Sequence, residues 1–456
     1  MFRKAVRAGV VWVAGLVLLG PVVGCDRSAD RAVPPPAQSL RKLTIVTPHG
    51  DTIRNAFAAG FSSWYLKKHS DPVHVEWISH GTPQCVDYIR SAPTMATEGA
   101  PYHRADVFFG GGVTDHAQLA AEGFCRPLKI ELPANYPAEV SGLPTRDEQN
   151  RWLATGLSSF GIVYNDRACR QREVTPSTNW ADLATPRFYG WVAVADPTAS
   201  GSTRECLVLI LAHHGWDRGW GMLMPILGNA RALDERSGNV LAAVKSGTCL
   251  AGFTVNFEGM ALAVETGGVV KYSDPPGGTA ATPDIISVLS TAEAPELAEE
   301  FVRYVLSEEG QALWGVSREY RAAYVNDLYH YPILPDIYEK YAGKMSVRNN
   351  PLQEGFGVEI DPQRSEQLGW AVRLFVQAAC RDNHVALQRA WKAAIDAGLP
   401  APAVELLTAP PCDEATALAL AEKLEKAESD EADALLAEWS AKYAARYAEV
   451  MKLLGQ

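Results

Sequence analysis

The stretch that decides the fold is Trp191-Val-Ala-Val-Ala-Asp-Pro-Thr-Ala-Ser-Gly-Ser-Thr-Arg-Glu-Cys206. Its apolar start, with β-branched residues, predicts a buried strand. Pro197 ends that strand because proline cannot donate to a sheet ladder. The small residues Ser200 to Thr203 then precede the apolar run 207–212, which predicts a buried helix. Unpaired N–H groups at such a helix start can bind an anion, although a serine that merely caps a core helix explains the same pattern.

Three earlier stretches, 43–54, 73–84 and 106–115, repeat the order of strand, polar turn and helix, and the strand 249–255 precedes a further helix. In open α/β sheets, ligands bind beyond the carboxyl ends of the strands, where these turns would meet. The sequence therefore predicts an α/β fold with one ligand site. The candidate ligand-binding residues are His49, Gly50, Asp51, Thr52, Gly81, Thr82, Gly111, Gly112, Asp196, Ser200, Gly201, Ser202, Thr203, Asn256 and Glu258.

Several of these residues also have purely structural explanations. His49 could be an exposed turn histidine, and Glu258 could simply interact with a helix dipole. The glycines at 110–112 could give backbone room at a tight turn. We interpret His213, His214, Trp216 and Trp220 as structural residues of helices.

The first 25 residues predict a secretion signal. Arg3, Lys4 and Arg7 precede an apolar run at 10–19 that is short for a membrane span. Val22-Val-Gly-Cys25 follows and resembles the cleavage site of a bacterial lipoprotein, whose cysteine is lipidated. A plain signal peptide or an uncleaved anchor is the alternative. Residues 26–41, with prolines at 34–36, predict an extended tether.

Composition excludes some functions. The net charge is −11, which argues against a general nucleic-acid binder. Eight cysteines suit an oxidising compartment, and the plausible pairs by position are Cys85–Cys125, Cys206–Cys249 and Cys380–Cys412. With no nucleophile elbow, HExxH or P-loop in the sequence, we expect a protein that is not an enzyme and needs no cofactor.

The order of motifs over roughly 42–315 resembles the periplasmic solute-binding proteins of ABC importers. The similarity is to the two-lobed type II class that includes ferric-iron binders, and within it to the branch of sugar-phosphate and phosphoglycerate binders. The motifs that carry the resemblance are Thr47–Gly50, Asp106–Gly112, Ser159–Asn165, Trp180–Leu183, Ala195–Ser202, His214–Trp220, Asn229–Arg231 and Phe301–Gln311.

This resemblance implies two α/β lobes that close on a solute in the cleft between them. Lobe one would comprise 42–163 and 281–344, lobe two 164–280, and 345–456 a helical extension packed on lobe one. Within the extension, Pro400 to Pro411 predicts an irregular connection, and 206–247 in lobe two predicts two helices. The implied protein is a lipid-anchored monomer in the periplasm or at the cell surface, with an ABC permease and ATPase as partners.

The solute is less closely determined. Iron binders of this class present a tyrosine pair after the strand that corresponds to 250–255, whereas this chain has Asn256-Phe-Glu258. Small hydroxyl and glycine turns at helix starts suit phosphate oxygens, so a phosphorylated organic anion is our interpretation. Ferric iron, a polyamine or an unphosphorylated sugar, and a role as ligand-sensing partner of a two-component system are the alternatives.

Overall fold

The fold is given by a computed structural model that describes residues 40–95, 104–234, 236–321 and 326–456. The predicted signal peptide, the lipidation residue Cys25 and nearly all of the predicted tether lie outside these ranges. No helix among the described residues has both the length and the apolar character needed to cross a membrane.

The strands fall into two mixed sheets and one small hairpin. In chain order they are β1 (Arg41–Thr47), β2 (Val73–Ser79), β3 (Val107–Phe109), β4 (Glu139–Val140), β5 (Leu143–Pro144), β6 (Leu153–Ser158), β7 (Phe160–Asn165), β8 (Val192–Ala195), β9 (Ala230–Asp234), β10 (Ala251–Val255), β11 (Val270–Ser273), β12 (Thr282–Val288) and β13 (Tyr331–Pro332). The first sheet has the order β13-β6-β12-β3-β1-β2 and the second β11-β7-β10-β8-β9, while β4 pairs with β5.

Helices cover both sheets and make up most of the C-terminal part of the chain. They are α1 (Asp51–His69), α2 (Thr82–Met95), α3 (Val113–Ala121), α4 (Asp166–Gln171), α5 (Trp180–Leu183), α6 (Gly201–His214), α7 (Trp216–Asn229), α8 (Ser237–Ser246), α9 (Asn256–Glu265), α10 (Pro295–Val305), α11 (Glu308–Gly315), α12 (Pro335–Lys340), α13 (Pro362–Val376), α14 (His384–Asp396), α15 (Ala401–Thr408), α16 (Glu414–Lys426) and α17 (Ser429–Leu453). We call the first sheet with its helices lobe one, and the second sheet with α4 to α9 lobe two.

The central strands of both sheets are buried on both faces. In β1, Leu43, Ile45 and Val46 are fully buried, and β1 runs parallel to both β2 and β3. In lobe two, β8 runs parallel to β9 and β10. Continuous apolar runs of this kind are typical of parallel strands covered by helices on both sides.

The chain passes from the first sheet to the second at Ser159, between β6 and β7, and returns between β11 and β12. The whole of β7 belongs to the second sheet, so the sheets divide before the boundary that the sequence placed after residue 163. The strand β8 and the helix α6 confirm the elements expected in the deciding stretch.

Two local predictions were wrong. The segment 206–247 holds the strand β9 as well as helices, and β9 pairs with β8 at the edge of the second sheet. The expected irregular connection 400–411 contains the helix α15. Its prolines lie at the cap and in the first turn, where a missing N–H costs no helical hydrogen bond.

The predicted packing of the C-terminal extension on lobe one was also wrong. Phe375, Trp391 and Trp439 share a continuous buried cluster with Trp216 and Trp220 of lobe two. The Trp391 indole N–H donates to the Asn229 side chain over 2.7 Å. The helices α13 to α17 therefore complete the core of lobe two, because the apolar faces of α6 and α7 lie against them.

The three proposed disulfides are absent. Each of the seven cysteines in the described residues is free, and six of them are buried. Cys85, for example, lies on α2 and directs its thiol to the His80 carbonyl at 3.6 Å. Sequence position suggested the pairs, but none of these six cysteines is bonded to another cysteine of the described residues.

Candidate functional site

The candidate site comprises turns from both lobes that follow the carboxyl ends of their strands. In lobe one, Gly50 caps α1, Thr82 begins α2 and Gly112 caps α3. These turns follow β1, β2 and β3, which run parallel, so the three helix starts lie at one edge. Gly50, Gly81 and Gly112 are exposed there, as are Asp51 and Thr52.

The corresponding edge of lobe two carries the start of α6. The Ser200 hydroxyl accepts a hydrogen bond from the N–H of Thr203. Ser200 therefore caps the helix, which is the purely structural role considered for it in the sequence. A cap does not exclude an anion, because it uses only one of the free N–H groups of the first turn. Gly201 is exposed, and a Cβ atom there would have no described atom within 4 Å beyond its chain neighbours and its own helix backbone.

Positive backbone angles shape the glycine turn of lobe one. Gly110 and Gly111 have φ values of 95° and 97°, which favour glycine. A Cβ atom on Gly110 would lie 2.6 Å from His49 Nε2, so a side chain has no room. His116 donates to the Gly110 carbonyl at 3.0 Å and accepts from the Ser287 hydroxyl at 2.6 Å. Burial lowers the pKa of His116 to about 4, so the imidazole is neutral.

His49 is buried rather than exposed, and sequence reasoning missed the group around it. Its ring lies against Phe109 and Trp314, and burial lowers its pKa to about 4. Nearby, His330 Nε2 lies 2.7 Å from Asp284 Oδ2, and Ser158 donates to the same carboxylate at 3.0 Å. Burial alone would raise the pKa of Asp284, but the charge and hydrogen bond of His330 lower it overall.

Ser158, Asp284 and His330 do not form a nucleophilic triad. Both Ser158 and Asp284 contact the same ring nitrogen, His330 Nε2, whereas a relay needs one partner on each nitrogen. Among the described residues, His330 Nδ1 and His49 Nε2 are buried and have no hydrogen-bond partner. The group thus places two buried ring nitrogens beneath the cleft edge, but it has no activated hydroxyl.

Two predicted residues have structural bonds that occupy their polar atoms. The Asn256 side chain accepts the N–H of Ser159 at 2.9 Å and donates to the Tyr329 carbonyl at 2.9 Å, which ties lobe two to lobe one. The Asp196 carboxylate bonds to Thr198 and lies 3.1 Å from Arg381. Both residues therefore hold the site together at its edges.

Charges from both lobes reach one another across the cleft. Burial raises the pKa of Asp115 in the first turn of α3, and the charge of Arg204 in the first turn of α6 opposes that rise. Burial also raises the pKa of Glu258, and the hydrogen bond that Thr254 donates to its carboxylate partly opposes that rise. Within the described residues, no three His, Cys, Asp or Glu side chains are grouped to hold a metal ion.

The crossing segments are fixed by Asp274. Its carboxylate accepts hydrogen bonds from Ser159 at 2.6 Å, Tyr272 at 2.7 Å and Asn349 at 2.9 Å. Ser159 belongs to the first crossing and Asp274 to the second, so one side-chain network joins the two crossings.

Two surface cavities lie away from these turns. One of about 530 Å³ includes Arg41 at the opposite end of β1, and one of about 550 Å³ lies between α14 and α17. Neither includes a predicted site residue.

Comparison with known proteins places this geometry in context. Residues 104–333 match the family described as bacterial extracellular solute-binding protein. The phosphoglycerate transport regulatory protein PgtC of Salmonella typhimurium is 27% identical over 185 residues, which cover 41% of this chain and 46% of that protein. The chain thus matches about half the length of this curated relative.

Solved structures show the same fold. The periplasmic binding protein AfuA from Actinobacillus pleuropneumoniae, with fructose-6-phosphate bound, has a TM-score of 0.54 at 16% identity and covers 78% of this chain and 98% of its own. Iron-bound HitA from Pseudomonas aeruginosa has a TM-score of 0.54 at 19% identity, and the match covers 71% of this chain and 95% of HitA. The fold is that of a two-lobed type II periplasmic binding protein with a helical C-terminal region, as the sequence predicted.

Proposed function

Because this chain belongs to the bacterial extracellular solute-binding proteins, we propose that it captures a small phosphorylated organic anion between its lobes and delivers it to an ABC permease and its ATPase. The proposal is carried by the starts of α1, α2 and α3 at one edge of the first sheet, together with the electrostatic interaction between Asp115 at the start of α3 and Arg204 at the start of α6. Helix N-termini favour anions through their free N–H groups and their dipoles.

The chemistry of these turns supports a phosphate group. Gly112 and Gly201 leave the backbone open, Ser202 and Thr82 supply hydroxyls, and Arg204 supplies a positive charge at the start of α6. Gly50, Asp51, Thr52, Gly81 and Gly111 complete the proposed ligand surface, and the buried residues His49 and Thr203 lie beneath it. Asp196, Ser200, Asn256 and Glu258 support it from the sheet edges. The name of PgtC refers to phosphoglycerate transport and the AfuA structure holds fructose-6-phosphate, and both agree with this solute class.

The alternative cargo is ferric iron, which HitA binds. Tyrosinate oxygens suit this hard ion. The segment after β10 offers Asn256, Phe257 and Glu258 instead. Tyr272 donates to Asp274 and is half-buried, and the loss of solvent around its hydroxyl raises its pKa well above the ordinary value, which disfavours the tyrosinate form. These contacts favour the organic anion over iron.

The predicted position of the protein in the cell is part of the proposal. It would be a monomer, anchored through a lipid on Cys25 and exposed to the periplasm or cell surface, with 26–41 as tether. The regulatory role in the name of PgtC also supports a second function, presentation of the loaded protein to a membrane sensor.

Titration with matched pairs of solutes tests the proposal. We expect fructose 6-phosphate or 3-phosphoglycerate to bind in calorimetry, and fructose or glycerate to bind at least tenfold more weakly, since one charge-assisted hydrogen bond contributes about 1.5–3 kcal/mol. Equal affinity for both members of a pair would exclude a phosphate site. A visible charge-transfer band on addition of ferric citrate, lost on mutation of a tyrosine, would favour iron.

A further inference from the structure

The C-terminal helices contain an irregular turn that reaches the cleft loop of lobe two. Residues 377–381, between α13 and α14, form one π-helical turn, in which the Asp382 N–H bonds to the Gln377 carbonyl over 3.0 Å. Wide turns of this kind are rare and often occur at functional positions.

The turn is held from behind by two side chains. The Tyr447 hydroxyl of α17 donates to the Ala379 carbonyl at 2.7 Å, and Asn383 donates to the Ala378 carbonyl at 2.8 Å. The Asn383 amide also donates to the Ser440 carbonyl at 3.0 Å, so α17 fixes the turn at two points. The last residue of the turn, Arg381, is therefore presented by a rigid support.

Arg381 bonds to two residues of the loop that follows β8. Its Nε lies 3.1 Å from Asp196 Oδ2, and its Nη1 donates to Thr198 Oγ1 at 3.1 Å. The other oxygen of Asp196 accepts the N–H of Thr198 at 2.8 Å and its hydroxyl at 2.7 Å. The planar guanidinium can make both contacts at once, which a lysine ammonium on a flexible stem does less well.

The same loop sets the position of the start of α6. The Asp196 carbonyl accepts the N–H groups of Ala199 at 3.0 Å and Ser200 at 2.8 Å, and Ser200 then caps the helix. A shift of Asp196 would consequently move Ser200 and the helix start that carries Gly201 and Ser202.

From these contacts we infer that Arg381 is a positioning residue of the solute site, through which the C-terminal helices hold the loop 196–200 against the cleft. The predicted effect of Arg381 on solute affinity rests on the proposed function. The contact itself involves no solute and is tested separately.

Hydrogen exchange followed by mass spectrometry tests the contact in the full-length mature protein. We compare Arg381→Met with Arg364→Met, which removes a 2.7 Å ion pair between Arg364 and Glu414 within the C-terminal helices. Amides of 196–203 should exchange several-fold faster in Arg381→Met and at the wild-type rate in Arg364→Met. Arg381→Lys should restore part of the protection. Unchanged exchange in Arg381→Met would overturn the inference.

Calorimetry with fructose 6-phosphate then separates this inference from the proposed function. We expect Arg381→Met to weaken binding about tenfold, which corresponds to about 1.4 kcal/mol, with Arg364→Met as the unchanged control. Faster exchange with unaltered affinity would overturn the positioning role. If the wild-type protein binds neither this solute nor 3-phosphoglycerate, the proposed ligand class fails, and exchange alone decides on Arg381. If Arg381→Met does not fold, Arg381→Gln, which removes the guanidinium and keeps a polar side chain, serves as the test variant.

Discussion

The two lobes differ in how their cores are completed. The core of lobe one is built from its own elements, with the Phe57 and Trp314 rings 4.4 Å apart and Phe61 and Phe301 5.1 Å apart. In lobe two, the ring centroid of Phe375 in α13 lies 6.2 Å from that of Trp220 and 4.9 Å from that of Trp439 in α17. The C-terminal helices are thus part of a folding unit, and the cleft edge of lobe two depends on them.

Among the substitutions that test this difference between the lobes, Phe375→Ala should have the largest effect on stability. Phe375 is fully buried, so its truncation should lower the free energy of unfolding by about 3–5 kcal/mol. Chemical denaturation measures this loss, with Val385→Ala as control, because Val385 on α14 is 79% exposed and should cost less than about 0.5 kcal/mol. A cost below about 1 kcal/mol for Phe375→Ala would show that the C-terminal helices are peripheral to lobe two.

Acid should affect lobe one through two buried neutral histidines. His49, near Asp284 and His330, and His116, near Asp284, both have a pKa of about 4, below the ordinary value of 6.5. The unfolded chain therefore binds more protons below pH 6.5, and stability is lost as the pH falls from 6.5 towards 4. We expect a loss on the order of 2 kcal/mol per histidine between pH 7 and pH 5.

Thermal or urea unfolding at a series of pH values measures this loss. His116→Gln serves as the control, because it removes one of the two titrating groups and should reduce the acid-dependent loss by about half. A stability that is the same at pH 7 and pH 5 would contradict the assignment of these histidines as neutral and buried.

A smaller effect compares one helix cap in each lobe. Ser200 caps α6, and Ser307 caps α11 of lobe one in the same way, by accepting the N–H of Gly310. Each Ser→Ala change should cost about 1 kcal/mol of stability. Only Ser200→Ala should also weaken binding of fructose 6-phosphate. If Ser307→Ala weakens binding equally, the effect comes from stability, and Ser200 acts only as a cap.

The sequence predicted those parts of the fold that local patterns determine. The strand, proline and small-residue turn at 191–203 predicted β8 and α6 because each residue type has a local structural reason there. The segment Ala230-Arg-Ala-Leu-Asp234 has no strand pattern, and it pairs with β8 only in the folded sheet. Which lobe α13 packs against likewise depends on tertiary contacts, and the helical periodicity of the sequence does not predict it.

The arrangement of residues around the candidate site could be predicted only in part from the sequence, for related reasons. Turns after strands pointed to Gly112, Thr82 and Gly201, because the edge of a parallel sheet is implied by the order of elements. Asp284 and His330 lie far apart in sequence and have no motif, so their contact with Ser158 was missed. The alternation of strands and turns also could not show that Arg381 bonds to Asp196.

Calorimetric titration of Gly201→Val beside the wild-type protein, with fructose 6-phosphate and 3-phosphoglycerate, decides whether an anion binds at the start of α6. A Cβ atom at this exposed position would have no described atom within 4 Å beyond its chain neighbours and its own helix backbone, so the melting temperature should remain close to that of the wild type. We expect the wild-type protein to bind one of these solutes, and the branched side chain to weaken binding at least about 100-fold, or about 2.7 kcal/mol. Full affinity in a folded Gly201→Val variant would contradict an anion site at the start of α6.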